Sequence, residues 1–159
     1  MAPIVRRAVP ADSGALTRLR LDFVSASHPD RPIPDDFVDA TRRFFGTHLA
    51  GSSPIAFWVA EEQGRIIAHA ALILFQKLPN LQNPGGLEGY VSNVLTLAAH
   101  RRRGIAAGLL DAVKADARER GIGRLWLFTS EDGEPLYARA GFERAANDAP
   151  MMELMLSGC

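Results

Sequence analysis

Apolar runs and helical stripes alternate along the chain and predict most of its secondary structure. Apolar runs predict strands at residues 4–9, 55–60, 66–75, 90–97, 124–129 and 151–156. Apolar positions three and four apart predict helices that begin near Asp12, near Pro34 and after Arg103, with a short fourth helix around Tyr137. Gly64, between the second and third runs, favours a hairpin at that point.

The run at 90–97, the helix after it and the run at 124–129 form a strand–helix–strand unit. A crossover of this kind joins two parallel strands, and ligands bind beyond the carboxyl ends of such strands. The pattern therefore predicts an α/β fold whose ligand-binding edge carries the residues that follow position 97.

Composition narrows the class of protein. At 159 residues with 47% hydrophobic residues, the chain suits a single domain, 1–159, with one good core. No apolar run approaches the ~20 residues of a membrane span, and the first residues have no signal-peptide core, so we expect a cytoplasmic protein without a membrane partner. The single cysteine, Cys159, can form no internal disulfide. The four histidines show no metal-ligand spacing, so we expect no metal, and His69 is expected to be a partnered core residue.

The segment after the 90–97 strand has the properties of an anion site. The first N–H groups of a helix lack intrahelical partners and carry the positive end of the helix dipole. Gly104 and Ala106 keep bulky side chains away from those N–H groups, and three consecutive arginines at 101–103 add positive charge beside them. A phosphate group is therefore the expected ligand of this turn.

Other known anion-binding motifs do not fit the sequence of this segment. The interval from Gly104 to Gly108 is too short for a nucleoside triphosphate loop, and no Gly-x-Gly-x-x-Gly fingerprint with its acidic residue is present. A nucleic-acid patch at His100–Arg103 would be expected within a wider basic surface, whereas 18 basic residues are balanced by 18 acidic ones. Nucleic-acid binding stays a minor alternative, and no nucleic-acid partner is expected.

Two motifs carry a family resemblance. Arg101-x-x-Gly104-x-Ala106 resembles the coenzyme A diphosphate loop of the GNAT-type N-acetyltransferases, and Leu136-Tyr137-x-x-x-Gly141-Phe142 resembles a second signature of that family. The order and separation of the two motifs also match. The resemblance implies a mixed, mostly antiparallel sheet of six to seven strands with a splayed parallel pair and about four flanking helices. It also leaves a homodimer open.

The resemblance further implies which residues bind acetyl-CoA. The central strand carries a bulge, which leaves backbone groups without ladder partners. The groups at Val94, Leu95 and Thr96 would pair with the pantetheine arm and the acetyl carbonyl. The diphosphate would be held beside Arg101 by the main-chain N–H groups of Arg102, Arg103, Gly104, Ile105, Ala106 and Ala107. No metal takes part.

The chemistry implied is direct attack of a primary amine on the thioester. An N–H group near Leu95 would stabilise the developing oxyanion. Tyr137 matches the tyrosine that protonates the departing thiolate, and a phenol with an ordinary pKa of about 10 is protonated at neutral pH. Glu88, just before the central strand, is the candidate general base. The alternatives are that Glu88 is only a solvated surface residue and that a water chain takes the proton.

The acceptor is left open by the sequence. Acidic residues fall on the segments that form the acceptor side in this family: Asp30, Asp35, Asp36, Glu88 and Asp148. They would favour a cationic amine, although Asp35 and Asp36 equally suit a helix start. Polyamine, aminoglycoside, amino acid and peptide amine remain candidates. Two other functions stay open, a non-catalytic coenzyme A-binding regulatory module and the nucleic-acid binding domain.

Overall fold

One mixed five-stranded sheet forms the centre of the protein, in a computed structural model that describes residues 2–145 and 152–155. The strands lie side by side in chain order: β1 Ile4–Arg7, β2 Ile55–Glu62, β3 Arg65–Gln76, β4 Leu87–Thr96 and β5 Arg124–Trp126. Pairing is antiparallel from β1 to β4, and β4 and β5 are parallel. The four helices are α1 Ser13–Ser27, α2 Asp35–Leu49, α3 Ile105–Glu119 and α4 Glu134–Arg139.

Each face of the sheet is covered by different helices, because alternate strand residues point to opposite faces. Under α1 and α2, Leu16 and Phe45 pack on the strand residues Phe57, Val59 and Ala71. On the opposite face, the apolar stripe of α3 packs on a second set of strand residues, which includes Ala68, Ala70, Leu72 and Val91. Both sets are buried, so the apolar runs and the helical stripes read from the sequence agree with the two cores.

The predicted α/β class, the hairpin at Gly64, the four helices and the parallel crossover are confirmed. The expected number of strands, six to seven, is wrong for the described residues, which form five. The strand predicted at 124–129 stops at Trp126, because its ladder with β4 ends there. Of the strand predicted at 151–156, residues 152–155 are exposed and outside any strand, and positions 151 and 156 lie outside the described residues.

Candidate functional site

The parallel strands β4 and β5 separate after three paired residues. Glu88 pairs with Arg124, Gly89 with Leu125, and Tyr90 with Trp126. Beyond that last pair β4 continues to Thr96, but β5 has ended. Six residues of β4 therefore have no β5 partner on that side, and the expected splay between the two parallel strands is present in the structure.

A bulge lies within the free part of β4. Ser92 pairs with Ala71 and Leu95 pairs with His69, so two β4 residues, at 93 and 94, face the single residue Ala70. Asn93 has φ of 50°, in the left-handed region that asparagine tolerates better than most residues. One extra residue in a strand reverses the side to which the following backbone groups point.

The direction of the backbone groups after the bulge follows from two hydrogen bonds. The N–H of Leu97 donates to the carbonyl of Ile67 on β3 (2.9 Å), and Leu95 occupies the same side by strand alternation. The intervening Thr96 points to the open side, where its carbonyl accepts a hydrogen bond from Arg101 Nε (3.2 Å). Strand alternation back from Leu95 places the backbone groups of Val94 on the same side as those of Thr96. The predicted trio therefore lies together, but its open-side backbone groups belong to Val94 and Thr96, whereas those of Leu95 face β3.

The loop between β4 and α3 ends at Gly104, whose backbone is in the left-handed conformation that glycine adopts most easily. Gly104, the residue before α3, has φ of 76°, and Arg102 has φ of 60°. A Cβ added to Gly104 would meet no atom within 4 Å, so open space lies next to the helix start. The predicted residues Ala106 and Ala107 sit in the first turn beside it, whereas the side chain of Ile105 is buried in the core.

A cleft of about 670 Å³ opens at this helix start. One wall is formed by the end of β4 and by residues 100–107, called the anion loop below. Leu136, Arg139 and Ala140 of the α4 segment form the other wall. Arg101 and Arg102 line the cleft with exposed side chains. The cleft therefore joins the open edge of β4 to unpaired N–H groups at the positive end of α3.

The third arginine of the loop points elsewhere. Arg103 Nη1 donates to Glu62 Oε2 at the end of β2 (3.2 Å) and lies 2.8 Å from His100 Nδ1. The hydrogen bond from Arg103 also holds the pKa of Glu62 below its usual value. The side chain of Arg103 therefore ties the loop to β2, and only the Arg103 backbone remains near the cleft. Glu62 was not singled out from the sequence, because no local motif links it to the loop.

Tyr137 lies on α4 and is half-buried against the core. Its ring packs edge-on against Phe142, with centroids 6.0 Å apart. Burial, and then the neighbouring Tyr90, raise the pKa of its hydroxyl above the ordinary value. Gly133 allows the close approach of α4 to the preceding turn, since a Cβ there would stand 2.6 Å from Thr129 Oγ1. Tyr137 is consequently protonated at neutral pH, and it lines a cavity shared with Trp126 and Leu127 rather than the cleft at the start of α3.

Glu88 is buried rather than solvated, and it lies at the paired end of β4. Its side chain is 1% exposed, with Oε2 3.4 Å from Lys77 Nζ and Oε1 3.5 Å from Arg124 Nη1. Seven strand positions separate it from Leu95, or roughly 20 Å at the usual rise per residue. The structure therefore places Glu88 in an ion-pair cluster at the paired end of β4, away from the residues predicted to bind the thioester.

Two other side chains define the surroundings of the bulge. Arg20 of α1 donates from Nη1 to Asn93 Oδ1 (2.8 Å), a contact that the sequence did not reveal. His69 is buried across from Leu95, and no described residue bonds its Nδ1, so the expected partner is missing from the described part of the chain. Burial, and then the charge of Arg20, lower the pKa of His69 to about 4. The imidazole is therefore neutral at pH 7.

Within residues 2–145 and 152–155, no cluster of three or more histidine, cysteine or carboxylate side chains could hold a metal ion. None of the helices in that part of the chain combines the length and apolar character needed to cross a bilayer.

Comparison with known proteins identifies the class of this fold. The model of the acetyltransferase (GNAT) family matches residues 16–142, whereas no curated protein matches the chain. A predicted acetyltransferase from Clostridium acetobutylicum, solved with acetyl-CoA, is 30% identical with a TM-score of 0.80, over 94% of this chain and 96% of its own. A GCN5-related N-acetyltransferase from Ralstonia eutropha is 27% identical with a TM-score of 0.79, over 98% and 99%.

A more distant likeness shows the fold alone. Glucosamine-6-phosphate N-acetyltransferase from Arabidopsis thaliana is 17% identical with a TM-score of 0.72, over 99% of this chain and 100% of its own. The family match covers both predicted motifs, the anion loop and the Tyr137 helix. The chain therefore belongs to the acetyltransferase (GNAT) family, which implies acetyl-CoA-dependent acyl transfer.

Proposed function

We propose that the protein transfers the acetyl group of acetyl-CoA to the nitrogen of a primary amine by direct attack. One observation carries the proposal: the open edge of β4, from the last β5 pair to Thr96, leads directly to the uncapped start of α3. An extended chain with a diphosphate at one end fits such a site. Its amides can pair with the free backbone groups of β4, and its diphosphate can bind the N–H groups at the start of α3.

The residues present suit the two ends of acetyl-CoA. The diphosphate would be bound by the backbone N–H groups from Arg102 to Ala107, with the exposed Arg101 and Arg102 side chains beside it. The pantetheine amides would continue the interrupted ladder on the open-side backbone groups of Val94 and Thr96. The relative solved with acetyl-CoA supports this choice of co-substrate.

The activated thioester supplies an acyl group that a neutral amine can attack. In the transfer, a C–N bond forms, the C–S bond breaks, and negative charge develops on the carbonyl oxygen. We assign stabilisation of that charge to the N–H of Val94, since it faces the open side, in place of the N–H of Leu95. Loss of one such donor costs about 2.7–4 kcal/mol in other enzymes.

Tyr137 is proposed as the acid that protonates the departing thiolate. Its raised pKa keeps the hydroxyl protonated throughout the neutral range, and Tyr137 lines a cavity that reaches Trp126, the last paired residue of β5. The proton of the incoming ammonium is proposed to pass to water, and the second proton that the nitrogen loses as the amide forms is proposed to return through water to the Tyr137 oxygen. Glu88 is unsuited to that step, because its carboxylate is buried between two cations at the far end of β4.

The test is release of free thiol from acetyl-CoA in the presence of a panel of primary amines, with the acetylated amine identified by mass. Thiol release that depends on the amine supports the proposal. Tight binding of acetyl-CoA without transfer to any amine would favour the non-catalytic coenzyme A-binding module. Absence of acetyl-CoA binding would remove the basis of both functions.

A further inference from the structure

Four aromatic side chains form a cluster where β4 and β5 separate. The cluster consists of Phe75 on β3, Tyr90 on β4, and Trp126 and Phe128 at and beyond the end of β5. Tyr90 stacks on Trp126 with centroids 4.5 Å apart and planes 29° apart. Phe75 and Phe128 meet Trp126 edge-on, at 5.8 and 5.7 Å.

The aromatic cluster stands next to the expected position of the thioester. Tyr90 and Trp126 are the last pair of the parallel ladder, so the free edge of β4 begins immediately after them. A pantetheine arm laid on that edge from Thr96 toward the bulge would bring its acyl end to the cluster. An amine that attacks the thioester must therefore place its own body beside these rings.

The cluster belongs to the face of the sheet opposite α3. Tyr90 lies opposite Ile73, which shares a face with Ala71, whereas the neighbouring Val91 packs in the core under α3. Helices α1 and α2 make their main sheet contacts with β3 and β2 on that face, whereas Phe128 at the β5 end is exposed. Co-substrate and acceptor can thus approach the splay from opposite faces.

One member of the cluster is unusually exposed for its size. The side chain of Phe128 is 69% exposed, although it contacts both Tyr90 and Trp126 at ring distances of 6.2 and 5.7 Å. The residue follows the end of β5, where the widening gap begins. An exposed phenyl ring supported by two further rings presents a flat apolar surface that a planar ligand group can stack on.

The charges around this face argue against a polycation. Arg20 lies over the bulge, and Lys77 and Arg124 flank Glu88 with about half of each side chain exposed. Glu88 itself is buried, so this carboxylate is not available to a second ammonium group. At the start of α2, Asp36 accepts a hydrogen bond from the N–H of Phe37, and Asp148 lies outside the described residues.

We propose that the acceptor is a monoamine whose body carries an aromatic ring or a similarly flat apolar group, held on Phe128 and the Tyr90–Trp126 stack. This inference rests on the proposed N-acetyl transfer and adds the class of acceptor. It predicts that aromatic monoamines are preferred over aliphatic monoamines of equal length and over polyamines.

The experiment compares kcat/KM for 2-phenylethylamine, n-hexylamine and spermidine. Stacking of one ring predicts a preference for 2-phenylethylamine over n-hexylamine of roughly 3- to 10-fold. Phe128→Ala should reduce that ratio to about one by raising the KM for 2-phenylethylamine, with the KM for acetyl-CoA unchanged. Phe128→Trp should retain the preference. The matched control is Leu81→Ala, which removes an apolar side chain that is 98% exposed in a loop outside the cluster.

Equal rates for the aromatic and aliphatic amines, preference for spermidine, or an equal effect of Phe128→Ala on both monoamines would overturn the inference. A second measurement separates it from the proposed function. With coenzyme A present, 2-phenylethylamine should shift the indole N–H signal of Trp126 in the wild-type protein and not in Phe128→Ala. Such binding without turnover would contradict the transfer reaction alone, whereas turnover without the Trp126 shift would contradict the aromatic subsite alone.

Discussion

Arg20 and Asn93 connect helix α1 to the bulge of β4 through a 2.8 Å hydrogen bond from the guanidinium to the side-chain amide oxygen. The amide belongs to the residue with the left-handed backbone, so the bond holds the point at which β4 changes the direction of its backbone groups. Arg20 also lies over the ring of Phe23, 5.7 Å from its centroid, which restricts the guanidinium. The open-side N–H of Val94 thus depends on a contact from a different part of the chain.

Replacement of Asn93 tests that dependence. Asn93→Ala removes the hydrogen bond with Arg20. It also places an alanine in the left-handed conformation, which costs a residue with a Cβ about 1–2 kcal/mol. We expect the free energy of unfolding to fall by about 2 kcal/mol and kcat/KM for acetyl-CoA to fall roughly 10-fold. Asn93→Gly keeps the backbone conformation and should lose less of both. Denaturant unfolding and steady-state kinetics give the two values, and wild-type kinetics in Asn93→Ala would show that the bulge has no part in catalysis.

Tyr137→Phe removes the proposed acid and leaves the ring that packs on Phe142. We expect kcat to fall about 100-fold or more, with little change in the dissociation constant of acetyl-CoA. Since the pKa of Tyr137 is raised, its hydroxyl stays protonated beyond its usual limit, and wild-type kcat should show no loss from this group between pH 7 and 9. A pH–rate profile and a binding titration check both points. Full activity of Tyr137→Phe would assign protonation of the thiolate to another group.

Glu88→Gln distinguishes an ion-pair role from a base role. The amide keeps the shape of the side chain but loses its charge between Lys77 and Arg124, so the free energy of unfolding should fall by about 1–3 kcal/mol. The activity of the folded variant should remain within about twofold of wild type. Thermal unfolding and kcat at several pH values provide the readouts. A loss of kcat that higher pH restores would instead identify Glu88 as the base.

His69 makes stability depend on pH in the mildly acidic range. Because its pKa is lowered to about 4 in the folded protein, the unfolded chain binds its proton first as the pH falls. The contribution of neutral His69 to the free energy of unfolding is complete above about pH 6.5 and is lost as the pH drops toward 4. It totals about 3 kcal/mol. Melting temperatures of wild type and His69→Leu from pH 7 to 4 measure the effect. The acid slope should be shallower in His69→Leu, and an unchanged slope in that variant would exclude His69 as its source.

The features that sequence could predict are those encoded in neighbouring residues. The strand–helix order, the crossover and the turn at Gly104 each depend on a continuous segment, and each is present in the structure. The splay is implied by the family resemblance and not by the pattern of apolar residues. The point at which the two strands separate is known only from the observed pairing of Tyr90 with Trp126. The length of β5 could not be read from the run at 124–129, because strand length depends on the partner strand.

The features that sequence missed depend on distant contacts. Glu88 looks like a surface carboxylate in its own segment, yet Lys77 and Arg124 from two other segments neutralise it in a buried position. The bulge itself follows from the family resemblance, and the one local signal for its position is an asparagine within a β-branched run, since asparagine is uncommon in strands and tolerates positive φ. No local pattern could indicate that Arg20 holds it.

The most direct test is calorimetric titration of acetyl-CoA into wild type, Gly104→Ala and Gly121→Ala. Both glycines flank α3, have positive φ of 76° and 68°, and leave open space for a Cβ, so the two substitutions impose similar backbone strain. If the diphosphate sits at the start of α3, Gly104→Ala should weaken binding about 10-fold or more, and Gly121→Ala should bind acetyl-CoA like wild type. Equal affinity of all three proteins, or the same loss in both variants, would contradict binding at that helix start.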